Sequence, residues 1–154
     1  MSGFLLDTDV VSMLAPSRAD ASASFIDWLE RVDGDGRVFL TAVTIHEIEK
    51  GIALLEHKGA KATAAGLTTW LTGLVSTYTD KILSLDAAAA ARAGQLEAKA
   101  IAAGHNPGMA DSAIAGIALA HDLVIISRNT RHFMPFGVTV LSPSEAVTSK
   151  PRVW

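Results

Sequence analysis

The sequence predicts an α/β fold with a mostly parallel central sheet of about five strands flanked by helices. Three observations carry this reading. Short apolar runs at Phe4–Leu6, Arg37–Thr41, Ile82–Leu85, Leu123–Ser127 and Val138–Leu141 are separated by stretches with helical spacing, and strands that alternate with helices pair in parallel through crossover connections. Leu123-Val124-Ile125-Ile126 is apolar at every position, as expected of a strand covered on both faces. The 154 residues, 49% hydrophobic and 19% charged, suit one domain with its own core and not a disordered chain.

The first strand, Phe4-Leu5-Leu6, runs straight into Asp7-Thr8-Asp9. Two acids at a strand tip repel unless a cation or proton lies between them, which points to metal binding or acid/base work. A short helix over Val10 to Leu14 follows, interrupted at Pro16-Ser17. A second helix spans Ala19 to Val32, with Phe25, Ile26, Leu29 and Val32 at helical spacing, and Asp33-Gly34-Asp35-Gly36 closes it. After the second strand, Thr44-Ile45-His46-Glu47 has the Thr-x-x-Glu form of a capping box, so a helix is expected to begin there and reach about Glu56 with Ile45, Ile48, Ile52 and Leu55 inward.

Lys58 to Lys61 forms a polar corner, and Ala62 to Tyr78 is a further helix. Asp86 caps an alanine-rich helix that extends to Ala103, and Gly104-His105-Asn106-Pro107-Gly108 is a loop. The next helix, Met109 to Ala120, keeps Ala113, Gly116, Ile117 and Ala120 small for close packing. Arg128 to Phe133 is a loop or a short helical turn after the fourth strand. The domain is expected to end at residue 143, leaving 144–154 as a polar tail.

In parallel sheets ligands bind beyond the carboxyl ends of the strands, near the point where strand order reverses. That rule selects Asp7 and Asp9 after the first strand, Glu47 at the start of the helix after the second, Asp111 in the first turn of its helix, and Asn129 with Thr130 after the fourth strand. Oxygen ligands in small number suit Mg2+ or Mn2+ better than Zn2+. Such an ion would activate water for attack on a phosphodiester. Each residue also has a structural reading: Glu47 completes a capping box with Thr44, Asp111 complements its helix dipole, and either early aspartate forms an Asx-turn or a cap. Of the first pair, Asp7 is expected to be the less exposed.

Composition narrows the classes further. The chain has no cysteine, which excludes disulfides, thiolate metal sites and cysteine nucleophiles. It has no apolar run near the length of a membrane span and no signal peptide pattern, so a cytoplasmic protein is expected. The net charge of −3 gives no global attraction for nucleic acid, so such a substrate needs a local basic patch or a bridging cation. Arg128 and Arg131 flank the rim as phosphate contacts or as solvated loop charges. The five histidines show no ligand spacing and are read as surface or capping residues, and Trp28 and Trp70 as core or dimer residues.

Phe4-Leu5-Leu6-Asp7-Thr8-Asp9-Val10, Thr44-Ile45-His46-Glu47-Ile48 with Gly51, Ala110-Asp111-Ser112-Ala113-Ile114-Ala115, and Ile126-Ser127-Arg128-Asn129-Thr130-Arg131-His132-Phe133 together resemble the PIN-domain toxins of the VapC type. The resemblance implies a PIN-like three-layer fold and a Mg2+- or Mn2+-dependent endoribonuclease, the toxic half of a type II toxin-antitoxin module. It implies that Asp7, Glu47 and Asp111 bind the metal and that Asn129 completes the catalytic set. It also implies a homodimer and a VapB-like antitoxin that blocks the acidic groove, with operator DNA as a further partner of the complex. Two positions depart from the family pattern: Asp9 stands where Asn is common, and Asn129 where a fourth acid is often found.

Two other functions fit parts of the sequence. Apolar residues before Asp-x-Asp also describe a haloacid-dehalogenase-like phosphatase, with Asp7 as nucleophile and Asp9 as proton shuttle. That mechanism calls for an acidic pair after a late strand, where this chain has Arg128-Asn129-Thr130. A non-catalytic module that holds an antitoxin at DNA is the second, favoured by the missing charge at Asn129.

Overall fold

The structure, a computed structural model, describes residues 3–149 except 17 and 19. Five strands form one sheet in the order β3-β2-β1-β4-β5: β1 (Phe4–Leu6), β2 (Val38–Thr41), β3 (Ile82–Leu83), β4 (Val124–Ile126) and β5 (Val140–Leu141). Every pairing is parallel. β1 lies at the centre, with Leu5 opposite Phe39 on one side and Ile125 on the other. The chain lays β2 and β3 on one side of β1 and then crosses to lay β4 and β5 on the other, so the reversal falls beside the carboxyl end of β1.

Alternation along each strand divides the core between two faces. Leu6, Val38, Leu40 and Ile126 pack with α1 (Thr8–Met13), α2 (Ala23–Gly34), α3 (Ala42–His57) and α4 (Lys61–Thr77). Leu5 and Ile125 point the other way, into α5 (Ala87–Ala102), α6 (Met109–Ala120) and the buried rings of Phe133 and Phe136. Three layers result. α5 and α6 come close at Gly116, where an added Cβ would lie 2.7 Å from the Ala89 carbonyl oxygen and from Ala93. Ala113 and Ile117 are buried beside it, whereas Ala120, read from the sequence as part of this face, is exposed.

Several boundaries differ from the sequence reading, each for a local reason. α2 begins at Ala23 because the Ser22 side chain accepts the Phe25 N–H; the earlier start at Ala19 falls outside the described residues. α3 begins at Ala42, not at Thr44. Its cap is Thr41, whose side chain accepts the Thr44 N–H at 3.0 Å. The Thr44–Glu47 capping box therefore does not form, and Glu47 sits in the second turn with its carboxylate released for other contacts. Residues 130–132 and 134–136 form two 3-10 turns.

The stretch read as a polar tail contains α7 (Pro143–Thr148), opened by a capping box between Ser142 and Glu145. Its Ala146 is fully buried in the same cluster as α2. Residues 150–154 of that tail lie outside the described residues. Among the described residues, no helix is long and apolar enough to cross a membrane.

Candidate functional site

Asp7 is both the end of β1 and the start of α1. Its N–H extends the ladder to the Ile126 carbonyl at 2.9 Å, and its Oδ1 accepts the Thr8 N–H at 2.8 Å as the α1 cap. Its Oδ2 accepts the Ser127 hydroxyl proton at 2.8 Å. Only 7% of the residue is exposed. Burial pushes this carboxyl up from 3.8 to about 7, against the Ser127 hydrogen bond and with the negative charges of Asp9 and Asp111 adding to the rise.

Around Asp7 the rim is built from three other segments. Thr8 donates its hydroxyl to Glu47 Oε1, which ties the freed α3 carboxylate to the turn that follows β1. The Thr8 hydroxyl also lies 3.0 Å from that of Thr44. Asp111 projects from the first turn of α6. Burial raises its carboxyl above the usual range; His132 opposes the rise, and Glu47 and Asp9 add to it. Asp9 and Asp111 thus act on Asp7, and Glu47 and Asp9 on Asp111, so acids from β1, α3 and α6 share one electrostatic neighbourhood past the carboxyl end of the sheet.

Asn129 meets this rim through Asp9 rather than through Asp7. Its Nδ2 donates to Asp9 Oδ2 at 3.0 Å, and Arg128 Nε reaches the same oxygen at 3.4 Å. The Asn129 N–H is accepted by Ser127 Oγ at 2.9 Å, so Ser127 links the Asn129 backbone to Asp7. Arg128 is thus paired at the site, while Arg131 lies exposed on the adjoining turn.

Whether these residues suit a divalent ion is decided by their charge and free oxygens. Asp9 Oδ1 is buried and has no hydrogen-bond partner. An anionic oxygen in that state is costly unless a cation satisfies it. The donor set is rich in hard oxygen, and burial, with neighbouring acids adding to it, raises the carboxyls of Asp7 and Asp111, so a cation would favour their charged forms. The residues therefore fit a divalent cation. Among the described residues, no group of three or more such side chains is already closed around a single point.

Three polar residues at the rim escaped the sequence reading. Ser127 looked like the end of an apolar strand, although its place one step past β4, level with Asp7, is the signal for it. Thr8 stands between two more conspicuous acids, and no local pattern marks it. Nothing in the histidine spacing marks His132, yet its Nδ1 lies 3.6 Å from Asp111 Oδ2.

Comparison with known proteins gives the same architecture. The PIN domain model matches residues 4–134. Plasmid stability protein StbB of Pseudomonas syringae pv. tomato is 32% identical over 143 residues, 92% of this chain and 99% of the relative. Toxin FitB of Neisseria gonorrhoeae is 30% identical over 139 residues, 90% and 96% of the two chains, and VapC ribonuclease Y4jK of Sinorhizobium fredii is 28% identical over 142, 92% and 97%. Among solved structures, FitAcB from Neisseria gonorrhoeae aligns with a TM-score of 0.78 at 30% identity over 92% of this chain and 98% of that one. FitAB bound to an IR36 DNA fragment aligns at 0.68 with 28% identity over 91% and 94%. An all-parallel sheet with its acids gathered where strand order reverses, matched by the family model across most of its length and by a relative 32% identical over 92% of the chain, means that this chain belongs to the PIN-domain family.

Proposed function

We propose that the chain is the ribonuclease toxin of a toxin-antitoxin module, hydrolysing RNA phosphodiester bonds at the rim formed by Asp7, Glu47, Asp111 and Asn129. The observation that carries this is the gathering of acids from three distant segments around the buried Asp7 carboxylate, with Asp9 Oδ1 left unsatisfied. Relatives named toxin FitB and VapC ribonuclease Y4jK support the nuclease reading.

Asp7, Glu47 and Asp111 hold Mg2+ or Mn2+ in this reading. The ion, when bound, supplies a Lewis acid that activates water and offsets charge building on the phosphate. The chain's own residues do the positioning. Ser127 and the Thr8 N–H fix the Asp7 carboxylate, and Thr8 holds Glu47 within reach of it. Asn129 and Arg128 hold Asp9. Arg128, 41% exposed in its side chain, gives an RNA phosphate a cationic contact at the edge of an otherwise anionic rim.

In this reading the protein is a cytoplasmic homodimer held inactive by a VapB-like antitoxin, and the similar FitAB structure bound to a DNA fragment supports operator DNA as a partner of that assembly. The phosphatase reading loses ground after β4, where Arg128-Asn129-Thr130 supplies no acidic pair.

The deciding experiment treats total RNA with antitoxin-free protein and Mg2+ or Mn2+ and sequences the new ends. Cleavage at defined sites is expected, and its loss in Asp7→Asn and Asp111→Asn variants that keep their fold. No cleavage by the wild type, with tight DNA binding by its antitoxin complex, would instead establish a non-catalytic regulatory module.

A further inference from the structure

His132 is the histidine that the fold brings against the acidic rim. Its Nδ1 stands 3.6 Å from Asp111 Oδ2. That separation is too long for a hydrogen bond. It does match two ligands of one ion: with bonds of about 2.0 to 2.2 Å and angles from about 90° to 110°, ligand atoms lie roughly 2.8 to 3.6 Å apart. The imidazole is not there by chance of a loose loop. His132 closes a 3-10 turn through its N–H to the Asn129 carbonyl at 2.9 Å, and the next residue, Phe133, is fully buried and packs beside Phe136. The turn is therefore anchored from behind while the His132 side chain stays 54% exposed toward the rim.

We propose that His132 Nδ1 is a direct ligand of the divalent ion at this site, sharing it with Asp111, and that the site consequently prefers Mn2+ to Mg2+. The inference rests on the metal-dependent reading above and deepens it. The physical reason is ligand softness. Mg2+ takes oxygen ligands in strict octahedral geometry and keeps its waters, whereas an imidazole nitrogen binds first-row transition ions readily. Asn129 adds no charge where a carboxylate would favour a hard ion, so the nitrogen donor weighs more in this chain than it would beside a fourth acid.

Electron spin-echo envelope modulation of the full-length protein loaded with Mn2+ reads the coordinating nitrogen directly. The expected result is a 14N modulation that changes to the 15N pattern when the wild-type protein is made with 15N-histidine. His132→Ala is expected to lose the modulation, and His105→Ala, at an exposed loop position, to retain it. In competition titrations His132→Ala should lower Mn2+ affinity by about tenfold or more while changing Mg2+ affinity less than about threefold. Mn2+ bound with no nitrogen modulation would overturn the proposal and leave a purely oxygen-ligated site. Failure of the wild type to bind Mn2+ at all would overturn it together with the metal reading beneath it.

Discussion

Asp7 is held by two hydrogen bonds and buried among other negative charges, and this tension makes a pH-dependent prediction. Its carboxyl sits near 3.8 in the unfolded chain and at about 7 in the folded one. Between those values the folded state binds the extra proton, so the metal-free protein loses stability as pH rises from about 4 to about 7. The full displacement corresponds to roughly 4 kcal/mol. Asp7→Asn removes the charge but can satisfy only one of the two donors, Thr8 N–H or Ser127 O–H, so its net gain above pH 7 is expected to be about 1 to 3 kcal/mol. Thermal melts in chelator should show that gain at pH 8 and a smaller one at pH 5; equal melting temperatures at both would place the buried charge elsewhere. Added Mg2+ or Mn2+ should raise the melting temperature of the wild type and not of the variant.

Asn129 gives a second test at this scale. It binds Asp9 through its amide and brings no charge. Asn129→Asp should tighten divalent metal binding by several-fold, because a further carboxylate strengthens the field at the rim. It also loses the hydrogen bond to Asp9, which caps the gain. Unchanged affinity in a calorimetric titration would mean that residue 129 acts only through Asp9.

At the level of single elements, the start of α3 decided the fate of Glu47. A Thr-x-x-Glu pattern satisfies a helix start at Thr44, but β2 ends with a threonine of its own, and Thr41 takes the cap three residues earlier. Thr41→Ala should cost about 1 kcal/mol as a lost N-cap, whereas Glu47→Gln should leave stability nearly unchanged and abolish activity. A large stability loss in Glu47→Gln would return that side chain to a structural role. The α5–α6 contact allows a sharper test. Gly116→Ala would set a methyl 2.7 Å from backbone and from Ala93, so the helices must part, at a cost of roughly 1 to 3 kcal/mol seen as a lower denaturant midpoint.

Taken as a whole molecule, the described residues form one three-layer body in which α7 belongs to the core. α7 was hidden in sequence because its six residues show one buried position, Ala146, and no apolar stripe. Docking against α2 creates its apolar environment. Ala146→Asp should destabilise the protein by about 3 kcal/mol or more, since an unpaired charge would enter a fully buried site. An unaltered melting temperature would show that residues 143–148 detach without cost.

The alternation of apolar strands with helical spacing, and the acids that follow strands, were written in the linear chain, because periodicity and strand-end placement are local properties. α6 was legible to the residue, and Asp86 as the cap of α5 likewise. The sheet order 3-2-1-4-5, the Ser127 and Thr8 hydrogen bonds that fix Asp7 and Glu47, and the approach of His132 to Asp111 were decided only by tertiary structure. Each of these depends on which groups burial brings together over separations of up to 120 residues, and no local pattern specifies such a meeting.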